Sequence, residues 1–323
     1  MHCKDFSSFL NAGILWASLG LTLGSSAHAQ EPTSGSKIEG LNHTFYAFNN
    51  SMRSDPKLDP AGQATLLAEL GFDGLEGHSM DELPQLVAEL HKRKLQLSTI
   101  YFQVDIDVKE NAYDQRIENY LETFLQNTGV ILTVHLHSKI FGPSDPKGDL
   151  HAVPILQKLA DLAHKNGASV AIYHHVSFWA ESIDDGIRLA KKVNRRNLGA
   201  AFNLCHWLSL EGEVDMNKRL DVISPYLMSV TLCGADGGTT AKGSSWNKLI
   251  QPLDQGSFDN LAFLREIIKR GYCGPIGLQC YNISLPPKEH LNRSIQTWRS
   301  FRKKILLDPP LNQILLKVKC TSN

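Results

Sequence analysis

The sequence predicts a single α/β domain closed as a (β/α)8 TIM barrel, on three observations. A short apolar or β-branched run followed by a helical stretch recurs eight times along the chain. No long polar linker interrupts the series, so one sheet takes every strand. The turn after the first run, Asn49-Asn50-Ser51-Met52, lacks the glycine-rich phosphate turn that a doubly wound open sheet, the alternative, normally shows there.

In chain order the expected strands are His43 to Phe48, Gly74 to Glu76, Gln96 to Phe102, Val130 to Leu136, Ser169 to Tyr173, Leu198 to Phe202, Leu227 to Leu232 and Pro275 to Gln279. Helices are expected near Pro60 to Leu70, Asp81 to Arg93, Asp114 to Gln126, Leu150 to Asn166, Ala180 to Val193, Met216 to Ile223, Asn260 to Arg270 and Lys288 to Ile305. Asp59-Pro60 sets a capping carboxylate before a proline suited to the first helical position, and Gly71, Gly167 and Gly271 each follow a helix where a left-handed residue is wanted. The longest interval, from Gly234 to Gly256, has the length of a lid or binding segment.

Both ends lie outside this pattern. Lys4, the apolar stretch Phe9 to Leu23 and the small-x-small triplet Ala27-His28-Ala29 read as a signal peptide over residues 1–29, cleaved before Gln30. Asn11, Gly13, Ser18 and Gly20 make that stretch a poor permanent anchor, so a periplasmic or secreted protein with no membrane attachment after cleavage is expected. Residues 30–41 read as a flexible leader, 42–307 as the barrel, and 308–323, after the stop at Pro309-Pro310, as a loosely attached tail.

Lys plus Arg and Asp plus Glu each number 33, so formal charge is zero. That balance argues against a nucleic-acid partner or an anionic membrane surface, which need a concentrated positive field. Of six cysteines, five remain after Cys3 is removed. Their wide spacing suits small buried residues, with one bridge possible, and not a zinc site or a disulfide framework.

In a barrel the chemistry lies where strands pass into the following helices. Those positions hold Asn49 and Asn50, Glu76 and His78, Gln103 and Asp105, His135 and His137, Tyr173, His174 and His175, Asn203 and His206, Cys233 and Asp236, and Gln279 and Tyr281. Six of the 13 histidines fall in this ring. In His135-Leu136-His137 the strand period of two puts both rings on one face, which suits paired substrate contacts or metal ligation.

Gly71-Phe72-Asp73-Gly74-Leu75-Glu76, Val170-Ala171-Ile172-Tyr173-His174-His175, Asn203-Leu204-Cys205-His206, the stretch Leu253 to Phe258, and Gly274-Pro275-Ile276-Gly277-Leu278-Gln279 follow one another in this order. From Asn42 to Ile305 the chain thereby resembles the xylose-isomerase-like barrel superfamily of sugar phosphate isomerases and epimerases. The resemblance implies divalent-metal ligands: a glutamate, an aspartate, a histidine and a glutamate on the fifth to eighth strands. This chain has Tyr173, Asn203, Thr231 and Gln279 there. Without the three carboxylates no cofactor is expected, and affinity for Mg²⁺ or Mn²⁺ should fall steeply. A softer metal on His135, His137, His175 or His206 is the remaining metal option.

Asp to Asn and Glu to Gln keep shape and hydrogen-bonding capacity, which suits a polyhydroxylated ligand. The resemblance therefore implies an exported isomerase, epimerase or lyase that moves a proton next to a carbonyl of a small-molecule carbohydrate. Glu76, His175 and His206 are the expected acid and base groups; His78, His135, His137, Tyr173, Asn203, Asp236, Trp246, Lys248 and Gln279 are the expected substrate contacts. The alternative is a non-catalytic sugar-binding barrel that has lost the metal site, with Phe178, Trp179, Trp207 and Trp246 available for stacking. The DNA-repair branch of the superfamily fits less well, because it employs a metal cluster and neither export nor neutral charge favours it.

Overall fold

The computed structural model describes residues 43–53, 55 and 58–317. The expected signal segment, the leader and residues 318–323 lie outside the described residues. Eight parallel strands close into one barrel in sequence order. They are β1 Phe45–Ala47, β2 Gly74–Gly77, β3 Gln96–Asp105, β4 Ile131–His137, β5 Ser169–Tyr173, β6 Leu198–Asn203, β7 Leu227–Leu232 and β8 Ile276–Leu278. β8 closes on β1 through Phe45 opposite Ile276 and Ala47 opposite Leu278. The helices are α1 Pro60–Leu70, α2 Leu83–Lys92, α3 Arg116–Glu122, α4 Asp149–Lys165, α5 Ile183–Val193, α6 Leu204–Glu211, α7 Met216–Ile223, α8 Trp246–Leu249, α9 Asn260–Lys269, α10 Pro287–Leu306 and α11 Pro309–Lys317. None of these is long and apolar enough to cross a membrane.

The strand period of two divides the core. One set of side chains packs outward against the helices, while Tyr46, Phe48, Ile131, Ala171, Tyr173 and Ala201 form a separate buried cluster in the lumen. Small residues there make room for rings: a Cβ on Gly277 would come within 2.6 Å of Tyr46 Cζ and 2.8 Å of Phe48 Cε1. Tyr173, at the C-terminal end of β5, caps this packed layer and forms the floor of the space above it.

α1 begins as the sequence suggests, with the Asp59 carboxylate accepting from the Gly62 N–H at 2.8 Å and Gly71 left-handed at φ 82°. Three segments differ from expectation. β3 continues to Asp105 because β4 stays paired with it from Thr99 opposite Ile131 to Asp105 opposite His137. α6 starts directly after Asn203 with no loop between, which carries His206 into a helical turn.

The third difference corrects the expectation of a loosely attached tail after Pro309-Pro310. Both prolines sit in the first turn of α11, where no backbone N–H is needed. Leu311 and Leu315, one helical turn apart, are buried as α11 packs on α9 and α10. Cys205, Cys233 and Cys280 are free and buried; Cys273 is disulfide-bonded.

Candidate active site

A cavity of about 270 Å³ opens at the C-terminal ends of the strands. Its floor is a hydrogen-bonded trio. Asn203 Nδ2 donates to the Tyr173 hydroxyl, and Gln279 Nε2 donates to the same oxygen at 3.4 Å. The Gln279 amide cannot be turned round, because backbone N–H groups hold its oxygen. The Gln279 carbonyl accepts from the Cys280 and Tyr281 backbone N–H groups at 2.9 and 3.1 Å and from Asn50 Nδ2, while the Asn203 carbonyl accepts from the Cys205 thiol at 3.2 Å. Two N–H donors therefore converge on a phenol oxygen, and burial raises the Tyr173 pKa well above its ordinary value.

Histidines form one wall. His175 lies flat on Phe178 at 3.8 Å between ring centroids and is 3.9 Å from the His206 ring. Val176, in the turn after β5, assigns the tautomer of both. Its carbonyl takes the His175 Nδ1 proton at 2.8 Å, and its N–H points to His206 Nδ1 at 3.4 Å. His175 is therefore left with an unprotonated Nε2 and His206 with a protonated Nε2, and both rings line the cavity. Burial is the main cause that holds His175 at a pKa of about 4 and His206 well below the usual value, each lowered further by neighbouring histidines. Both are neutral at physiological pH.

His135 and His137, on one face of β4 as their spacing implies, bond ring to ring at 2.7 Å. His135 also stacks on Tyr101 at 4.1 Å, and burial brings its pKa down to about 3. His78 lines the cavity, stacks with Tyr101 at 5.7 Å between centroids, and is held at about 4 by burial and by Arg53.

Glu76 is the last residue but one of β2, four strands round the ring from β6. It is buried, its Oε2 has no hydrogen-bond partner, and burial raises its pKa well above the carboxylate range against the opposing pull of Arg53. Trp246, in α8 of the long β7–α9 loop, presents its ring 5.2 Å from His206 and closes the mouth with Ile250 and Tyr281.

Of the twelve side chains expected in the site, Glu76, His78, Tyr173, His175, His206, Trp246 and Gln279 line this cavity. Asn203 lies just beneath it, and His135 and His137 stand behind Tyr101 and Phe178. Asp236 and Lys248 do not reach it: the Asp236 N–H binds the Lys248 carbonyl at 2.8 Å within the long loop, and the Lys248 side chain is exposed. Sequence reasoning missed Arg53, Tyr101 and Phe48, and passed over Asn50 although it named it at a strand end. Tyr101 is an interior residue of β3 and Arg53 lies in a turn, so no strand-end pattern marks either.

The residues do not fit a divalent ion at the positions where the resemblance implies ligands. Amide N–H groups and a phenol meet there, and donors repel a cation that needs oxygen lone pairs. Among the described residues no group of three or more His, Cys, Asp or Glu side chains is arranged to hold a metal.

A family model described as xylose isomerase-like TIM barrel matches residues 64–301. No curated protein matches the chain. Among solved structures the chain is similar to a xylose isomerase domain protein from Planctomyces limnophilus, at 18% identity and TM-score 0.60 over 82% of this chain and 98% of that one. It is also similar to a 3-keto-D-glucoside 4-epimerase from E. coli, at 15% identity and TM-score 0.62 over 81% of this chain and 99% of that one. A third is a D-allulose 3-epimerase from Methylomonas sp. in complex with D-allulose, at 15% identity and TM-score 0.62 over 80% and 97% of the two chains. With the matched segment running from α1 to α10, the chain belongs to the xylose isomerase-like TIM barrel family.

Proposed function

We propose that the protein is a metal-independent isomerase or epimerase that moves a proton next to the carbonyl of a small carbohydrate. The observation that carries this reading is the pair of opposite tautomers set by Val176: a neutral imidazole with a free lone pair beside a neutral imidazole with a free N–H. His175 Nε2 takes the proton from the carbon next to the carbonyl. The electron pair left behind moves onto the carbonyl oxygen, where His206 Nε2–H donates a hydrogen bond and the protonated Glu76 can hand over its proton to form the enediol. Delivery of the His175 proton to the former carbonyl carbon, while the enediol's other hydroxyl returns a proton to Glu76, isomerises the sugar; delivery to the opposite face of the original carbon after the enediol turns over in the cavity, with the first oxygen returning its proton to Glu76, inverts it. The epimerase likenesses among solved structures agree with either outcome.

Work outside the cytoplasm is part of the same reading. The segment ending Ala27-His28-Ala29 supports it, and so does the disulfide at Cys273, since such bonds persist in oxidising compartments. N-terminal sequencing of exported protein should start at Gln30.

The reaction is tested by incubating metal-stripped protein with keto and aldo sugars in D2O and following loss of the C–H signal next to the carbonyl by NMR. Exchange that survives chelator is expected. Ligand-induced thermal stabilisation without exchange for any sugar would instead support the non-catalytic sugar-binding barrel.

A further inference from the structure

The first turn after β1 brings a cation to the site. Met52 and Arg53 both donate their backbone N–H to the Asn49 carbonyl at 2.9 Å, and Asn50 fastens the same turn to Gln279 on the floor. The Arg53 side chain, so placed, lines the cavity and makes no hydrogen bond or ion pair among the described residues. Beside it two acceptors lack donors: Asn50 Oδ1 and Glu76 Oε2 are buried without partners. The remaining ionisable groups of the lining offer no charge to balance the guanidinium. His78, His175 and His206 are held neutral, and burial pushes Glu76 toward its neutral acid form.

We propose that the natural substrate is a hydroxylated carboxylate, a uronic or keto-aldonic acid, whose carboxylate is held by the Arg53 guanidinium while its hydroxyls donate to Asn50 Oδ1 and Glu76 Oε2. This rests on the proton-transfer reading of the same cavity and adds the class of sugar. A guanidinium fork matches a planar carboxylate through two parallel N–H bonds. A phosphate monoester carries nearly two charges and three acceptor oxygens, and among the described residues Arg53 is the one side chain of permanent positive charge in the lining. Neutral sugars would offer the guanidinium no charged partner. The cavity volume, about 270 Å³, suits one sugar ring and not an oligosaccharide.

Binding of D-glucuronate, D-galacturonate, D-glucose, D-galactose and glucose 6-phosphate to the metal-stripped mature protein tests the assignment by calorimetry, with Arg53→Gln and Arg53→Lys alongside. The expected result is a uronate bound at least about 10-fold more tightly than its neutral counterpart, with the ratio collapsing in Arg53→Gln and partly kept in Arg53→Lys. Arg53 is exposed, and a thermal melt verifies that each variant is folded. Equal affinity for glucose and glucuronate, preference for glucose 6-phosphate, or a uronate preference that survives Arg53→Gln would each overturn the proposal, as would absence of binding by the whole panel. The exchange assay in D2O separates the two readings. Arg53-dependent uronate binding without exchange keeps this assignment and removes the catalytic one, and exchange confined to neutral sugars does the reverse.

Discussion

Restoring the carboxylates that the family resemblance implies should fail to restore a metal site while Tyr173 stays in place. In Asn203→Asp/Gln279→Glu the two N–H donors that meet at the Tyr173 hydroxyl become oxygens. The carboxylate introduced at position 279 keeps its anchored oxygen on the Cys280 and Tyr281 N–H groups, and the one introduced at position 203 keeps the Cys205 thiol. Two carboxylates then flank one phenol, which has a single proton to give. Asn203 is fully buried, so a charge there without a cation costs about 3–5 kcal/mol. Near 2 °C or more of melting temperature per kcal/mol, the loss is roughly 10 °C for a barrel of this size. Mn²⁺ could offset that cost only by taking the place of the phenol. Calorimetric titration should therefore show weak, unsaturable Mn²⁺ binding in the double variant and at least about 10-fold tighter binding once Tyr173→Ala is added. Stoichiometric micromolar binding by the double variant with Tyr173 intact would refute the reasoning, because the metal position would then be free beside the ring.

His175→Asn should lower exchange in D2O by about 10²-fold or more, the usual scale for a lost base, while His206→Asn, whose amide can still donate, should retain more activity than His206→Leu. Equal loss in the two His206 variants, read from initial exchange rates, would count against a donor role. Glu76→Gln should stabilise the protein increasingly as pH rises. The folded-state pKa of Glu76 is raised, so its contribution is intact below the ordinary carboxylate value of 4.5 and is lost as pH climbs toward the folded value, by up to about 1.4 kcal/mol per pH unit. Denaturation midpoints from pH 5 to 8 for both proteins check the sign, and a constant difference would contradict it. Leu311→Ala with Leu315→Ala should cost about 2 kcal/mol or more for each side chain, measured by urea unfolding, if α11 is part of the barrel's outer packing.

The barrel was legible because its signals are local and repeated. Period-two runs end in polar residues, and Asp59-Pro60 and Gly71 bracket α1. Legibility ran out where tertiary context decides. Pro309-Pro310 reads as a stop, yet a proline pair also opens a helix, and only the apolar surface offered by α9 and α10 tells the two apart. His206 reads as a base from its place after β6, but its protonated nitrogen is chosen by the Val176 N–H thirty residues away. Arg53 gives no signal at all. A single arginine in a turn is usually solvated, and its meaning comes from the absence, among the described residues, of any other permanent positive charge in the lining.

The exchange of carboxylates for amides and a phenol alters more than metal affinity. A floor of carboxylates would hold neighbouring imidazoles in their charged form, since an opposite charge within a few ångströms favours it. Here the floor is neutral and turns N–H groups toward a phenol, so burial is the leading influence on each histidine and depresses every pKa along that wall. Neutral imidazoles are what proton abstraction requires: one ring needs a lone pair and the other an N–H, and a cationic pair would supply only donors. The same absence of anions leaves Glu76 no counter-charge except Arg53, which lowers its pKa less than burial raises it. The absence of the carboxylates that the family resemblance implies and the neutral groups of the proposed proton-transfer site are therefore one electrostatic condition seen from two sides, and adding a buried charge at the floor would disturb both.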